Sequence, residues 1–205
     1  MRMLCLLLML AVTGAGASEL GPLAKQCAAC HGVDGISRWP DVPNIAGLPE
    51  VVIANALYDY RGHARPCRKP VCAEDGACPP LSMCEIAEPM TDGQMDTLAR
   101  FYAARPFGSA ANEYDPRLAE QGLTIHNSNC EICHTTGGSD PEDEASILRG
   151  QNRAYIANAM NDYRSGQRLG EAAMLKRLNA LSAEEVVALV EFYASPQVPA
   201  PPTLR

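Results

Sequence analysis

The feature that most constrains this chain is a repeated pentapeptide. Cys27-Ala28-Ala29-Cys30-His31 recurs as Cys130-Glu131-Ile132-Cys133-His134, displaced by 103 positions. The same displacement carries Gly47 onto Gly150 and Ile53-Ala54-Asn55-Ala56 onto Ile156-Ala157-Asn158-Ala159. It also carries Asp59-Tyr60-Arg61 onto Asp162-Tyr163-Arg164, and Arg65 onto Arg168. Further on the displacement falls to 91, which brings Phe101-Tyr102-Ala103 onto Phe192-Tyr193-Ala194. The first copy therefore holds twelve extra residues between Arg65 and its last helix. A repeat of this length predicts two homologous domains rather than one large fold. Their expected bounds are 18–107 and 108–205, because Pro, Gly and small residues cluster between Ala104 and Pro116.

Each copy reads as helix, so the expected class is all-α. Residues 51–61 and 154–164 place Ile53, Ala54 and Leu57, then Ile156, Ala157 and Met160, at helical spacing. Ser182 with Glu185, and Thr91 with Gln94, are capping-box pairs opening the last helix of each copy. Asp115-Pro116 supplies an N-cap and first helical residue for a helix running into Cys130. The segment before Cys27 carries Pro22 and is expected to form a weaker helix. No alternating strand pattern occurs, and Pro196 to Pro202 reads as a loose tail.

Composition narrows the class further. With 47% apolar and 20% charged residues the chain is not intrinsically disordered, yet only 5% of it is aromatic. Something other than aromatic rings must fill the cores. A net charge of −7 excludes nucleic acid as the main partner and suits docking on a basic surface. Arg2, the apolar run from Leu4 to Val12 and the small residues Ala15-Gly16-Ala17 form a signal-peptide pattern over residues 1–17. Export to the periplasm is the expectation. No other segment approaches 18 uninterrupted apolar residues, so no stable membrane span is expected. Nine Cys, of which only Cys5 falls in the signal segment, point to disulfides, metal or covalent cofactor attachment.

Cys-x-x-Cys-His is the attachment signature of a c-type haem. Two thiols one helical turn apart can form thioethers to the two vinyl groups, and the following His lies beneath the iron as proximal ligand. A zinc site or a redox Cys pair is the alternative for a single copy. Two copies at equivalent points of a duplicated helical chain favour two covalent haem c groups, held by Cys27, Cys30 and His31, and by Cys130, Cys133 and His134. The displacement of 91 aligns Met83 with Met174 and selects them as sixth ligands, with Met90 the runner-up for the first haem. Met90 aligns with Leu181, an apolar packing position. Pro43 and Ser146 lie twelve residues after the two His and offer carbonyls to their rings. Arg61, Arg65, Arg164 and Arg168 are candidate partners for haem propionates, with solvated surface Arg the alternative. Tyr60 and Tyr163 read as packing residues, and His63 and His126 as surface residues.

Cys67, Cys72, Cys78 and Cys84 accompany the insertion. Even parity in an exported chain predicts two disulfides in one of three connectivities, rigidifying the loop that presents Met83. A zinc cluster, and Cys84 as iron ligand in place of Met83, are the alternatives.

With these residues in place, the chain resembles the dihaem class I cytochromes c of the cytochrome c4 family over residues 18–195. Its second half is most similar to the cytochrome subunit of flavocytochrome c sulfide dehydrogenase. That likeness rests on Leu123, His126, Cys130, Cys133, His134, Gly137-Gly138, Asp143-Glu144, Ile147-Leu148, Gly150-Gln151 and Asp162-Tyr163-Arg164. The four-Cys insertion departs from both relatives. The resemblance implies two tandem helical haem domains related by pseudo-twofold symmetry, with haems close enough to exchange electrons. The expected role is a periplasmic carrier of single electrons, not an enzyme by itself. Its donor would be a dehydrogenase, for which a sulfide-oxidising flavoprotein subunit is one candidate, and its acceptor an oxidase or another cytochrome. A free carrier without a flavoprotein partner is the alternative, and a dihaem peroxidase or thiosulfate dehydrogenase a more remote one.

Overall fold

The computed structural model describes residues 16–197; the expected signal segment up to residue 15 and the tail from residue 198 lie outside the described residues. Ten helical segments follow in order. The first copy holds α1 (Gly16–His31), α2 (Glu50–Arg61), α3 (Val71–Glu74), α4 (Met83–Ala87) and α5 (Asp92–Ala103). The second holds α6 (Pro116–Asn129), α7 (Thr135–Gly138), α8 (Arg153–Arg164), α9 (Ala172–Asn179) and α10 (Ala183–Ala194). No strand occurs among the described residues. The ends of α2 and α8 differ by 103 and those of α5 and α10 by 91, so the sequence register is also the structural one.

Local chemistry accounts for the helix ends. Thr91 and Ser182 each accept a backbone N–H three residues on, while Gln94 and Glu185 reach back to the cap N–H. Ser82 and Glu85 form a third capping box, on α4, which the sequence reading did not single out. Asp115 caps α6 through the N–H groups of Arg117 and Leu118, with Pro116 in the first turn. The helix before Cys27 is a 16-residue segment despite Pro22. Leu20, Leu23 and Cys27 pack against the first core, and that burial outweighs the hydrogen bond proline cannot donate. α7 is a turn in which Thr136 and Gly137 both take left-handed conformations, at φ 55° and 68°.

Two cores follow. In the first, α5 packs on α1 and α2 and buries Met95, Leu98 and Tyr102 with Ile53 and Leu57 of α2. In the second, α10 packs on α6 and α8 and buries Leu189, Phe192 and Tyr193 with Ile156. Gly122 permits the close crossing of α6 and α10, since a Cβ there would lie 2.1 Å from the Ala188 carbonyl oxygen.

The halves meet through a buried polar seam. The Gln151 side chain bridges the Asn44 backbone, accepting its N–H at 2.9 Å and donating to its carbonyl at 2.6 Å. The Asn152 amide donates to the Val42 carbonyl at 2.7 Å, and the Tyr155 N–H to the Pro40 carbonyl at 3.0 Å. Arg68 from the insertion grips Asp162 of α8 with two bonds of 2.5 Å. Such bidentate geometry fixes orientation as well as charge.

Candidate haem sites

In each copy the Cys-x-x-Cys-His segment makes one helical turn. Cys27 to His31 end α1, and in the second copy the His134 N–H bonds the Cys130 carbonyl at 3.0 Å. The His31 Nδ1–H donates to the Pro43 carbonyl at 2.8 Å, and His134 Nδ1 meets the Ser146 carbonyl at 3.3 Å. A carbonyl only accepts, so Nδ1 carries the hydrogen and Nε2 keeps its lone pair, the tautomer an iron ligand needs. Burial pushes both imidazoles below their ordinary range and keeps them neutral.

The thiols are raised, not activated. Burial lifts Cys27 to about 11 and moves Cys30 and Cys130 in the same direction. A redox Cys-x-x-Cys pair depends on a depressed thiol, so this environment weighs against that alternative.

Beside the first motif lies a crevice of about 930 Å³ including its open mouth, at the upper end of the ~300–1,000 Å³ usual for cofactor sites. Leu48, Ile53, Leu57 and Tyr102 supply apolar walls, while His31 and Met83 are both on its lining. The lining of the crevice also carries two guanidinium groups. Arg65, only 6% exposed, sits 4.4 Å over the Tyr60 ring and reaches the Tyr155 hydroxyl at 3.3 Å. Arg168 sits 4.3 Å over Tyr163, and its Nε is buried without a hydrogen-bond partner. Neither forms a salt bridge among the described residues. A buried Arg65 and a half-buried Arg168 whose Nε lacks a partner fit the carboxylates of a haem, so the donor set and walls match that group.

The four Arg candidates thus divide. Arg61 instead donates to the Met90 carbonyl at 3.1 Å and pairs with Asp92, while Arg164 donates to the Leu181 carbonyl at 3.2 Å. These two tie the ends of α2 and α8 to the turns before α5 and α10. Tyr60 and Tyr163 serve as the packing platforms expected of them.

The Arg61 and Arg164 contacts also test the methionine register. They are the same interaction in both copies, so Met90 and Leu181 are structural equivalents, each a buried core residue. Met83, at the start of α4, is then the equivalent of Met174 on α9. The Met174 methyl lies against Gly170 and the Tyr163 ring, where a Gly170 Cβ would meet both at 2.9 Å.

The insertion braces the first site. Cys67 pairs with Cys84 and Cys72 with Cys78, which chooses one of the three connectivities and leaves none of the four for zinc or iron. The first bond ties α4 at the residue after Met83 to the chain following α2. The sulfurs of the second lie within 4.8 Å of Cys30 Sγ, so the inserted loop is folded over the attachment turn.

His126 is a correction to the sequence reading. Its ring is 0% exposed, on the face of α6 that meets α10, with Nδ1 2.7 Å from the Tyr193 hydroxyl and Nε2 2.6 Å from Glu131. Helical position placed it opposite α10, and Tyr193, 67 positions on, with Glu131, five positions on, satisfies both ring nitrogens in that burial. His63 is exposed as expected, with Nδ1 3.3 Å from Cys67 Sγ.

No protein-family model matches the chain. It is 30% identical over 205 residues to cytochrome c4 of Stutzerimonas stutzeri, spanning 91% of this chain and 94% of that protein. The solved structure of reduced recombinant cytochrome c4 from Pseudomonas stutzeri superposes with a TM-score of 0.68 at 26% identity, covering 86% of this chain and 95% of that one. A thiosulfate dehydrogenase structure from Marichromatium purpuratum shares the fold at 22% identity and a TM-score of 0.67, over 85% of this chain but 39% of that one.

Proposed function

The chain belongs to the cytochrome c4 family, dihaem class I cytochromes c with two tandem domains in pseudo-twofold relation, and from that premise we propose a specific set of ligands and a route for its electrons. Two covalent haem c groups are its cofactors and electron transfer between redox proteins its role. The proposed attachment is Cys27 and Cys30 for the first haem and Cys130 and Cys133 for the second. The proposed axial pairs are His31 with Met83 and His134 with Met174, in domains spanning 18–107 and 108–205.

A haem held at each Cys-x-x-Cys-His turn would supply one-electron exchange without bond making or breaking. The residues of the chain do the rest. The Pro43 and Ser146 carbonyls hold the two His rings in one tautomer and orientation. Met83 and Met174 would each supply a second ligand to a bound haem, which would favour electron transfer over chemistry on a bound molecule. Apolar walls exclude water, and Arg65 and Arg168 offset negative charge at the seam between the halves. The observation that carries this reading is the shared Arg61–Met90 and Arg164–Leu181 contact, which makes Met83 and Met174 equivalent.

The proposed setting is the periplasm. A dehydrogenase delivers electrons, with a sulfide-oxidising flavoprotein subunit as the candidate the second half supports. An oxidase or another cytochrome receives them. Optical spectroscopy of the purified holoprotein tests the ligand set, with a Met–iron charge-transfer band expected at full intensity for two haems. Half intensity refutes the symmetrical assignment. Co-purification with a flavin-containing polypeptide is the outcome expected of the subunit reading; a stable lone monomer with full reactivity toward cytochromes favours the free carrier.

A further inference from the structure

The two copies differ where α2 and α8 end. Both helices close with the same turn, in which the N–H two residues past the helix bonds back to a tyrosine carbonyl. His63 reaches Tyr60 and Gly166 reaches Tyr163, each at 3.2 Å. The residue there is left-handed, at φ 55° for His63 and 72° for Gly166. Glycine is what such a turn favours, because it has no Cβ to clash. A histidine in its place carries a backbone cost, and strain of that kind collects at functional positions. Its side chain is exposed and points Nδ1 at Cys67 Sγ, 3.3 Å away.

Cys67 is bonded to Cys84, so its sulfur has no hydrogen and can only accept. Nδ1 therefore carries the hydrogen and donates it. Among the described hydrogen bonds this is the one donor facing either sulfur. The Arg65 carbonyl, 3.8 Å from Cys67 Sγ and 3.9 Å from Cys84 Sγ, also only accepts. Access is one-sided too, since Cys67 is exposed and Cys84 is buried. The other disulfide is built differently: Cys72 is buried, and its sulfurs gather with Cys30 Sγ rather than with an imidazole.

We propose that Cys67–Cys84 is a thiol-exchange site for a dithiol reductant, in which Cys67 is the sulfur attacked and His63 holds the thiolate that reduction leaves there. One thiolate of the reductant attacks Cys67 Sγ, the bond to Cys84 breaks, and the Cys84 sulfur leaves and takes up a proton. The second thiol of the reductant loses its proton to solvent and attacks its own sulfur in the mixed disulfide. Cys67 departs as a thiolate that accepts the His63 Nδ1–H, and the reductant ends as a cyclic disulfide. Two electrons have passed to the protein and one net proton to solvent. Stabilising the reduced form in this way makes a disulfide more reducible. Cys84 follows Met83, so the exchange cuts the tie between α4 and the chain after α2 and loosens the sixth ligand of the first haem. That consequence rests on Met83 as the ligand; the exchange itself does not.

Holoprotein equilibrated with reduced and oxidised dithiothreitol, then alkylated and mapped by peptide mass, reports each disulfide separately. Cys67–Cys84 is expected to open at a lower ratio of reduced to oxidised reagent than Cys72–Cys78. His63→Gly suits the left-handed turn and removes the donor. It should shift the Cys67–Cys84 equilibrium roughly tenfold toward the disulfide, ~30 mV for a two-electron couple, with Cys72–Cys78 unmoved. His63→Asn tolerates the same backbone and sets an amide N–H near the place of Nδ1, so it should recover most of the unaltered value. Equal midpoints for the two disulfides, no shift in His63→Gly, or an asparagine variant as resistant as the glycine one would overturn the proposal. After alkylation and reoxidation of the iron with ferricyanide, the Met–iron charge-transfer band should weaken for one haem as Cys67–Cys84 opens. Met83→Leu holoprotein separates the premise: a band at full intensity there refutes Met83 as ligand and leaves the exchange result standing.

Discussion

Replacing Gln151 by Leu should cost the protein about 2–4 kcal/mol, and the seam shows where that number arises. Gln151 is fully buried, and its side chain satisfies both the N–H and the carbonyl of Asn44, itself buried. Leucine fills a similar volume but can neither accept nor donate. Two backbone groups then lose their partners inside the protein, at ~1–3 kcal/mol each. The relief of no longer burying a side-chain amide offsets part of the sum. Guanidinium titration of the oxidised holoprotein, followed by Soret absorbance and far-ultraviolet dichroism, checks it. The midpoint should fall with an unchanged slope. A loss below ~0.5 kcal/mol, the range of ordinary surface substitutions, would refute the claim that this bridge closes the seam.

Four further outcomes follow from the same geometry. Met83→Leu should abolish the charge-transfer band of one haem, whereas Met90→Leu should leave both bands and cost less than ~1.5 kcal/mol, as near-isosteric core swaps do. Arg68→Ala strips buried Asp162 of a bidentate partner, and because Arg68 is about half exposed the expected loss is ~1–3 kcal/mol, largely recovered by adding Asp162→Asn; a calorimetric melt of the three variants measures it. Opening Cys67–Cys84, which closes a separation of 17 residues, should cost ~3 kcal/mol against ~2 for Cys72–Cys78 with 6, and only the former should weaken the Met83–iron band. The depressed Glu131 contributes stability fully present above its ordinary value of 4.5 and lost as pH falls below it, because the unfolded chain then binds more protons. Acid-unfolding midpoints should therefore differ less between pH 3 and 6 in Glu131→Gln than in the unaltered chain.

Much of the architecture could be read from periodicity. The displacements of 103 and 91 reappear as matched ends of α2 with α8 and α5 with α10. The capping pairs at Thr91, Asp115 and Ser182 are local chemistry and form as expected. The equivalence of Met83 with Met174 was also legible, since a duplicated fold carries its register through an insertion. Where the reading failed, the deciding contact was remote. His126 looked like a surface residue because its partner Tyr193 is 67 positions away. Arg61 and Arg164 looked like Arg65 and Arg168, yet the first two cap turns and the last two sit on tyrosines at the seam. α1 tolerates Pro22 because core packing, invisible to local propensity, outweighs one hydrogen bond.

The linear chain by itself determined the things that depend on spacing: two copies, helical class, two Cys-x-x-Cys-His turns and a methionine in register with each. Spacing suffices there because a helical turn and a covalent thioether are short-range geometry. The tertiary structure alone decided which of three disulfide pairings forms, how Gln151 and Asn44 join the halves, and that His126 is buried against Tyr193. Those outcomes depend on which groups the packing brings together, at separations from 6 to 107 positions, and on the cost of burying polar atoms unpaired once they arrive.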